Sequence, residues 1–250
     1  MPGLADVPYL TNETLFANRT LPSHLVVIGG GPIGLEMAQA HRRLGAAVTV
    51  LEAGEILARD DRECAAIVAA RLRAEGVAIE EGVRVSEVAR DGDGIAVRLA
   101  DGRRLAASHL LVAAGRTPTV DGLDLEAAGI RHDARGIAVD DRLRTSNRRV
   151  WAIGDCNGRH AFTHMAAHEA SLFVRGALFR LPARLDADRV PWCTYADPEL
   201  AQVGLTEQAA RARGVEGLQV LRWPMADNDR ARTERRTEGL VKIVADRHGR

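Results

Sequence analysis

The fold is decided by residues 25–36, which have the sequence Leu25-Val26-Val27-Ile28-Gly29-Gly30-Gly31-Pro32-Ile33-Gly34-Leu35-Glu36. The apolar run predicts a buried β-strand, and the residues after the glycines predict a helix. Gly29, Gly31 and Gly34 have the G-x-G-x-x-G spacing of a dinucleotide-binding loop. In such a loop Gly29 allows the tight turn, Gly31 the close approach of a pyrophosphate, and Gly34 close packing of helix on strand. The helix start adds free N–H groups and a positive dipole end, which favour phosphate.

The residues that follow provide the context that this motif requires. They predict a helix over residues 32–45 whose apolar face consists of Ile33, Met37, Ala40 and Leu44. Residues 47–51 predict a second buried strand, which ends at Glu52, 18 residues after Gly34. An acid near this position binds the adenosine ribose hydroxyls in dinucleotide-binding folds. The alternative is a glycine-rich turn in another α/β domain, with Glu52 a solvated charge.

Composition excludes several classes of protein. The 250 residues have a formal net charge of zero and 46% hydrophobic residues, which gives no electrostatic reason to expect binding to nucleic acid or to an acidic membrane. The first residues lack the apolar region typical of a signal peptide, and no apolar run is long enough to span a membrane. Its three cysteines are odd in number and far apart. We therefore expect a cytoplasmic protein without a disulfide framework.

The pattern divides the chain into four parts, namely residues 1–22, 23–118, 119–182 and 183–250. The first is predicted to be a connector. The second contains the glycine loop, a helix ending near Glu75, and predicted strands at 77–79, 84–90, 95–99, 103–107 and 109–115. The middle three of these alternate with period two and are separated by Asp-Gly turns, which predicts an inserted three-stranded antiparallel meander.

The third and fourth parts contain further predicted elements. Residues 150–155 predict a strand with Asp155 at its carboxyl end, where ligands bind in open α/β sheets. A helix is predicted over residues 163–179. The fourth part has a predicted helix at 207–213 and predicted strands at 191–195, 202–204 and 240–244.

Four motifs in this order resemble the flavoprotein pyridine nucleotide–disulfide oxidoreductases, the family of dihydrolipoamide dehydrogenase, glutathione reductase and mercuric reductase. They are residues 29–36, 113–118 (Ala-Ala-Gly-Arg-Thr-Pro), 150–155 (Val-Trp-Ala-Ile-Gly-Asp), and 190–199 leading to 203–207. The mercuric reductase and dihydrolipoamide dehydrogenase branches are the most similar. The resemblance implies an α/β fold: a Rossmann-type FAD/NAD(P)-binding domain with the inserted meander, followed by the start of an α+β interface domain.

The resemblance also implies roles for individual residues. It implies that NAD(P)H is bound by Gly29, Gly31, Pro32, Ile33, Gly34, Glu52 and Gly115. It implies that FAD is bound by Arg116, Gly154, Asp155, Phe162 and Thr163. Glu36 matches an acid that lies beside nicotinamide and flavin, where the family pairs it with a lysine from the other FAD-binding segment.

Several family features are missing from the sequence. The partner lysine is absent, because the only lysine among 34 basic residues is Lys242, in the fourth part. No Cys-x-x-x-x-Cys dithiol occurs, and no second glycine fingerprint precedes Gly29. We therefore expect an internal piece of a family member, without the N-terminal FAD and dithiol segment and most of the dimerisation domain. The complete enzyme would be a homodimer that passes hydride from NAD(P)H to FAD and then electrons to a disulfide or related acceptor.

The choice of dinucleotide follows from Glu52. A carboxylate accepts hydrogen bonds from a ribose 2′-hydroxyl and repels a 2′-phosphate, which favours NAD over NADP. Ala53 and Gly54 follow it rather than an arginine, although Arg59 is within reach along the chain. The terminal acceptor (mercury, lipoamide, glutathione or another) is left open.

Two other functions remain open at this stage. A non-catalytic NAD(H)-binding module fits the same motif. A flavin-free single-Rossmann dehydrogenase is disfavoured, because neither Tyr9 nor Tyr195 begins the Tyr-x-x-x-Lys pattern. His164 and His168 have the i, i+4 spacing of metal ligands, but the motif supplies no third ligand, and we expect no metal site.

Overall fold

The computed structural model describes residues 1–249. Arg250, the last residue of the predicted interface region, lies outside the described residues. The chain divides into two compact units, residues 1–115 with the residues from 193 onward, and residues 116–192. Each unit has apolar clusters of its own.

Seven strands organise residues 24–112 of the first unit. They are β1 (His24–Ile28), β2 (Ala47–Leu51), β3 (Val77–Glu80), β4 (Val85–Asp91), β5 (Gly94–Leu99), β6 (Arg104–Ala107) and β7 (His109–Val112). Four of them form a parallel sheet in the order β3-β2-β1-β7, and β4-β5-β6 form an antiparallel sheet. The predicted α/β fold with an inserted meander is therefore confirmed.

Two helices complete this part, α1 (Pro32–Arg43) and α2 (Arg62–Ala74). The predicted apolar face of α1 is wrong: its buried residues are Gly34, Leu35, Ala38 and Gln39. Leu44, predicted on the buried face, lies beyond the helix end and is 68% exposed. Close packing on the sheet sets this face: a Cβ on Gly34 would lie 3.3 Å from a methyl group of Val27, and Leu35 and Ala38 are fully buried beside it.

The second unit has little regular sheet. Its strands β8 (His132–Asp133) and β9 (Gly136–Ile137) form a two-residue hairpin, and its helix α3 (Thr163–Phe173) continues into a π-helical turn over Val174–Leu178. The predicted strand at 150–155 is not formed. Trp151 makes one isolated bridge with Arg144, because no neighbouring strand among residues 116–192 pairs with the rest of this extended segment.

The C-terminal region contributes the remaining elements. In chain order these are β10 (Pro191–Thr194), β11 (Leu200–Val203), α4 (Glu207–Ala212), β12 (Gln219–Pro224), α5 (Asp229–Thr233) and β13 (Leu240–Ala245). Strand β12 pairs antiparallel with β13. It was not predicted, because arginine, tryptophan and proline near its end obscure the alternation. Among residues 1–249, none of the helices combines the length and the apolar character that crossing a membrane would need.

Candidate functional site

The three glycines of the G-x-G-x-x-G motif differ in their surroundings: Gly29 and Gly34 are fixed by packing, and Gly31 faces open space. A Cβ on Gly29, whose φ is 113°, would lie 2.5 Å from the carbonyl oxygen of Ala113, and one on Gly34 would lie 2.0 Å from that of Gly29. A Cβ on Gly31 would meet nothing within 4 Å. The loop therefore leaves room beside the N-terminus of α1, and this space fits a pyrophosphate.

Glu52 is bound to this loop by its own carboxylate. Its Oε2 accepts a hydrogen bond from the N–H of Gly30 at 2.7 Å, and its Oε1 accepts one from the N–H of Gly54 at 2.8 Å. The side chain is half-buried. A carboxylate has about four acceptor positions, so the two backbone bonds leave capacity for ribose hydroxyls. The carboxylate therefore both shapes the loop and presents an acceptor beside it.

Glu36, on α1, is held by a segment far away in the sequence. Its Oε1 accepts a hydrogen bond from the N–H of Tyr195 at 2.8 Å. Three residues further along α1, Gln39 donates to the carbonyl oxygen of Asp197 at 2.8 Å and accepts from its N–H at 2.7 Å. The segment after β10 is thus bound along α1. The sequence contains no signal for this pairing.

The predicted FAD residues lie in the second unit. Asp155 is exposed in a 3₁₀ turn, Gly154–Asn157. A residue that the sequence did not single out for this role, the fully buried Glu169, holds the turn: its Oε2 accepts from the N–H of Gly154 and from Nδ2 of Asn157, both at 2.7 Å. The turn therefore presents the Asp155 carboxylate outward.

The remaining predicted FAD residues lie around the start of α3. Phe162 directly precedes this helix, and Thr163, its first residue, is exposed. Arg116 donates a hydrogen bond from Nη2 to the carbonyl oxygen of Ala161 at 2.9 Å. An exposed helix N-terminus fits the negative charge of a phosphate or of a reduced flavin. The residues of this unit are therefore chemically suited to FAD.

The residues predicted to bind the dinucleotide lie in the first unit. Pro32 and Ile33 begin α1, and Gly115, with a φ of 129°, follows the end of β7 at a position where a Cβ would meet nothing within 4 Å. Gly115 is therefore at an open position three residues after the end of β7, the strand that pairs with β1.

The histidines and cysteines form no cluster of their own. Within residues 1–249, no group of three or more His, Cys, Asp or Glu side chains is arranged to hold a metal ion. Nε2 of His164 donates to the carbonyl oxygen of Pro191 at 2.8 Å. All three cysteines are free. Burial raises the pKa of the Cys156 thiol, which keeps it in the less reactive protonated form.

Comparison with known proteins agrees with this geometry. The family model "Pyridine nucleotide-disulphide oxidoreductase" matches residues 1–170, and the model of that family's dimerisation domain matches residues 190–250. The chain is 38% identical to a mercuric reductase of Streptomyces lividans over 98% of its own length and 52% of that protein. It is 37% identical to a dihydrolipoyl dehydrogenase of Pseudomonas aeruginosa over 95% of its length and 51% of that protein.

Solved structures give the same result. The HOCl-induced flavoprotein disulfide reductase RclA from Escherichia coli superposes with a TM-score of 0.88 and 34% identity, covering 99% of this chain and 57% of that one. The chain spans about half the length of the curated relatives it matches. Sequence, fold and site together establish that the chain belongs to the pyridine nucleotide-disulphide oxidoreductase family, a family of FAD- and NAD(P)-dependent oxidoreductases.

Proposed function

We propose that this chain binds NADH at the glycine loop and acts in a flavoprotein oxidoreductase. The reaction passes hydride from NADH to FAD, and electrons continue to a disulfide or related acceptor. The observation that carries the proposal is the open space at Gly31, at the N-terminus of α1 and beside the Glu52 carboxylate. A phosphate placed there meets free helix N–H groups, and an adenosine ribose meets a carboxylate.

The preference for NADH over NADPH rests on Glu52. Its position is fixed by the N–H groups of Gly30 and Gly54, so the carboxylate cannot easily rotate away from an incoming 2′-phosphate. A fixed negative charge repels that phosphate and accepts from a 2′-hydroxyl. The negative charge of Glu52 therefore distinguishes NADH from NADPH, and the backbone N–H groups of the loop hold that carboxylate in place.

The chain's residues would also hold part of FAD. Asp155 would accept from the ribityl or pyrophosphate region, and the start of α3 at Phe162 and Thr163 would approach the pyrimidine end of the flavin. Bound FAD would supply the two-electron acceptor for the hydride. The exposed N-terminus of α3 supports this role, because its dipole stabilises negative charge on a reduced flavin.

Glu36 is proposed to lie beside the nicotinamide. The N–H of Tyr195 fixes one of its oxygens, which leaves the other oxygen free to accept a hydrogen bond or to pair with a cation. We also propose that residues 1–22, 23–118, 119–182 and 183–250 serve as connector, NAD domain, second FAD segment and interface region of a homodimer. The match of the dimerisation-domain model to residues 190–250 supports the last assignment.

Titration of the 250-residue chain with NADH and NADPH, followed by nucleotide fluorescence, tests the proposal. NADH is expected to bind more tightly than NADPH, and Gly31→Asp is expected to abolish binding, because it places a carboxylate in the phosphate space. The control is Gly31→Ala, which adds only a methyl group to the same open position and reports whether the loop tolerates substitution. Unchanged NADH affinity in Gly31→Asp, with an unchanged unfolding temperature, would show that the dinucleotide does not use this loop.

A second titration tests the flavin assignment. FAD binding followed by flavin fluorescence, and oxidation of NADH with an artificial electron acceptor, separate an oxidoreductase from a nucleotide-binding module. Asp155→Asn is expected to weaken FAD binding and to leave NADH binding unchanged. NADH binding without any flavin binding or NADH oxidation would instead favour the non-catalytic module.

A further inference from the structure

The second unit contains a basic cavity outside all of the residues assigned above. Its volume is about 580 Å³, and it is lined by Arg131, Ala138, Val139, Asp140, Arg142, Arg144, Thr145, Ser146 and Arg148. Four arginines face one aspartate in this lining, although the chain as a whole has no net charge. The cavity is therefore a local concentration of positive charge.

The arginines of this cavity lack acidic partners. Among the described residues, the guanidinium groups of Arg131, Arg142 and Arg148 make neither a hydrogen bond nor an ion pair. Exposed arginines elsewhere in the same unit differ: Arg135 and Arg184 each pair with an aspartate, at 3.0 Å and 2.9 Å. Positive groups gathered without counter-charges repel one another, and a bound anion relieves that repulsion.

The fold already engages the two hydroxyl groups of the lining and one carboxylate oxygen of Asp140. Oδ1 of Asp140 accepts from the N–H groups of Arg142 and Arg144, at 2.8 Å and 2.9 Å. The hydroxyl of Thr145 donates to two backbone carbonyls, and that of Ser146 donates to a third. Recognition in the cavity is therefore left to the guanidinium groups, which select charge and the oxygen geometry of a phosphate.

Arg144 shows a second sign of a missing partner. Its Nε is buried and has no hydrogen-bond partner among the described residues. Its guanidinium lies 5.3 Å from the ring centroid of Trp151, a cation–π contact that fixes the group without satisfying its donors. A buried donor without an acceptor is unfavourable, so the hydrogen bonding of Arg144 is incomplete among the described residues.

We propose that this cavity is a second anion site, which binds a small molecule carrying two or more phosphoryl groups. Arginine forks match phosphate oxygens in pairs, and the volume suits a ligand of nucleotide size. A concave site of this size on a chain without net positive charge favours a small molecule over a nucleic acid strand, whose binding depends on extended basic surfaces. The proposal is independent of the dinucleotide loop, which lies in the other unit.

Calorimetric titration with inorganic tripolyphosphate tests whether the cavity binds phosphoryl groups. The titrations use a Gly31→Asp background, so that the probe cannot bind at the glycine loop. The test variant is Arg142→Glu with Arg148→Glu, which reverses two exposed charges of the lining. The matched control is Arg175→Glu with Arg180→Glu, an equal charge change at exposed positions of the same unit outside the cavity.

The test variant is expected to weaken tripolyphosphate binding by at least about tenfold, since each lost guanidinium removes charge-assisted hydrogen bonds. The control variant is expected to change the affinity for tripolyphosphate by less than about twofold. Absence of binding to the background protein at low salt, or equal weakening in both variants, would overturn the proposal. Tighter binding of a single-stranded oligonucleotide than of tripolyphosphate, lost in the test variant, would overturn it in favour of a nucleic acid surface.

Discussion

Replacing Glu52 with glutamine should weaken NADH binding in two ways: it disturbs the glycine loop, and it removes the negative charge that faces the ribose hydroxyls. The carboxylate accepts one N–H on each oxygen, from Gly30 at 2.7 Å and from Gly54 at 2.8 Å. Glutamine keeps the shape but has one oxygen and one NH₂ group, so one of the two backbone donors must face another donor. The substitution therefore removes a charge-assisted hydrogen bond in addition to the charge itself.

The size of the effect can be worked out from this geometry. A hydrogen bond to a charged group contributes about 1.5–3 kcal/mol, and the half-buried position of Glu52 places it near the lower end. A loss of about 1.5 kcal/mol corresponds to an increase of about tenfold in the Kd for NADH. NADPH binding should weaken less, because the repulsion of its 2′-phosphate by the carboxylate is lost at the same time.

Fluorescence titration with NADH and NADPH, together with thermal unfolding, measures the effect of Glu52→Gln. The matched control is Glu55→Gln, which neutralises a nearby carboxylate that is 70% exposed and, among residues 1–249, pairs only with Arg62; it should leave both affinities unchanged. If Glu52→Gln left both nucleotide affinities unchanged, Glu52 would contact neither the ribose nor a loop that matters for binding. Glu52→Arg should reduce or reverse the preference for NADH over NADPH. The affinity for both nucleotides should nevertheless be lower than the change of charge alone predicts, because the hydrogen bonds from the N–H groups of Gly30 and Gly54 are lost.

Three further substitutions test the framework around the site. Gly34→Ala should lower the unfolding temperature and weaken NADH binding, because the added Cβ would lie 2.0 Å from the carbonyl oxygen of Gly29 and the loop must shift. Lys242→Met removes a cation that is 7% exposed and leaves three carboxylates without it. Because those carboxylates are partly exposed, the free energy of unfolding is expected to fall by about 2 kcal/mol, which lowers the unfolding temperature by roughly 4–8 °C. The Arg43 guanidinium lowers the pKa of Glu75 from 4.5 to about 2, so stability from this group is complete above about pH 4.5 and is lost as the pH falls toward 2. Glu75→Gln should flatten the pH dependence of the unfolding temperature in that window, and an unchanged slope would contradict the assignment.

The parts of the fold that the sequence predicted well are those set by local pattern. The strand–loop–helix–strand unit around Gly29 follows from a short apolar run, glycine spacing and a second apolar run, and the meander from period-two alternation with Asp-Gly turns. Helix α2 starts where Asp61 accepts the N–H of Glu63 at 3.1 Å, an N-cap visible in the sequence. These signals lie within a few residues of the elements they specify.

The errors share a different cause. The buried face of α1 differs from the predicted one because close packing on the sheet at Gly34, Leu35 and Ala38 sets it, and apolar spacing alone does not show that packing. Residues 150–155 have strand composition, but a strand exists only where a partner strand pairs with it, and Trp151 has one bridge. Glu36 accepts its hydrogen bond from the N–H of Tyr195, which lies 159 positions further along the chain. Contacts of this kind depend on the tertiary fold, and no local pattern encodes them.

Lys242 shows how a compositional oddity acquires a physical reason from the structure. Its ammonium lies 2.8 Å from Asp61, 3.1 Å from Glu63 and 2.9 Å from Glu207, carboxylates that come from the start of α2 and from α4. Burial alone would lower the pKa of Lys242, but these hydrogen bonds raise it above its usual range. A compact ammonium directs three donors to three separate acceptors, which the planar fork of arginine does not do. With every donor engaged in this way, Lys242 is not available to pair with Glu36.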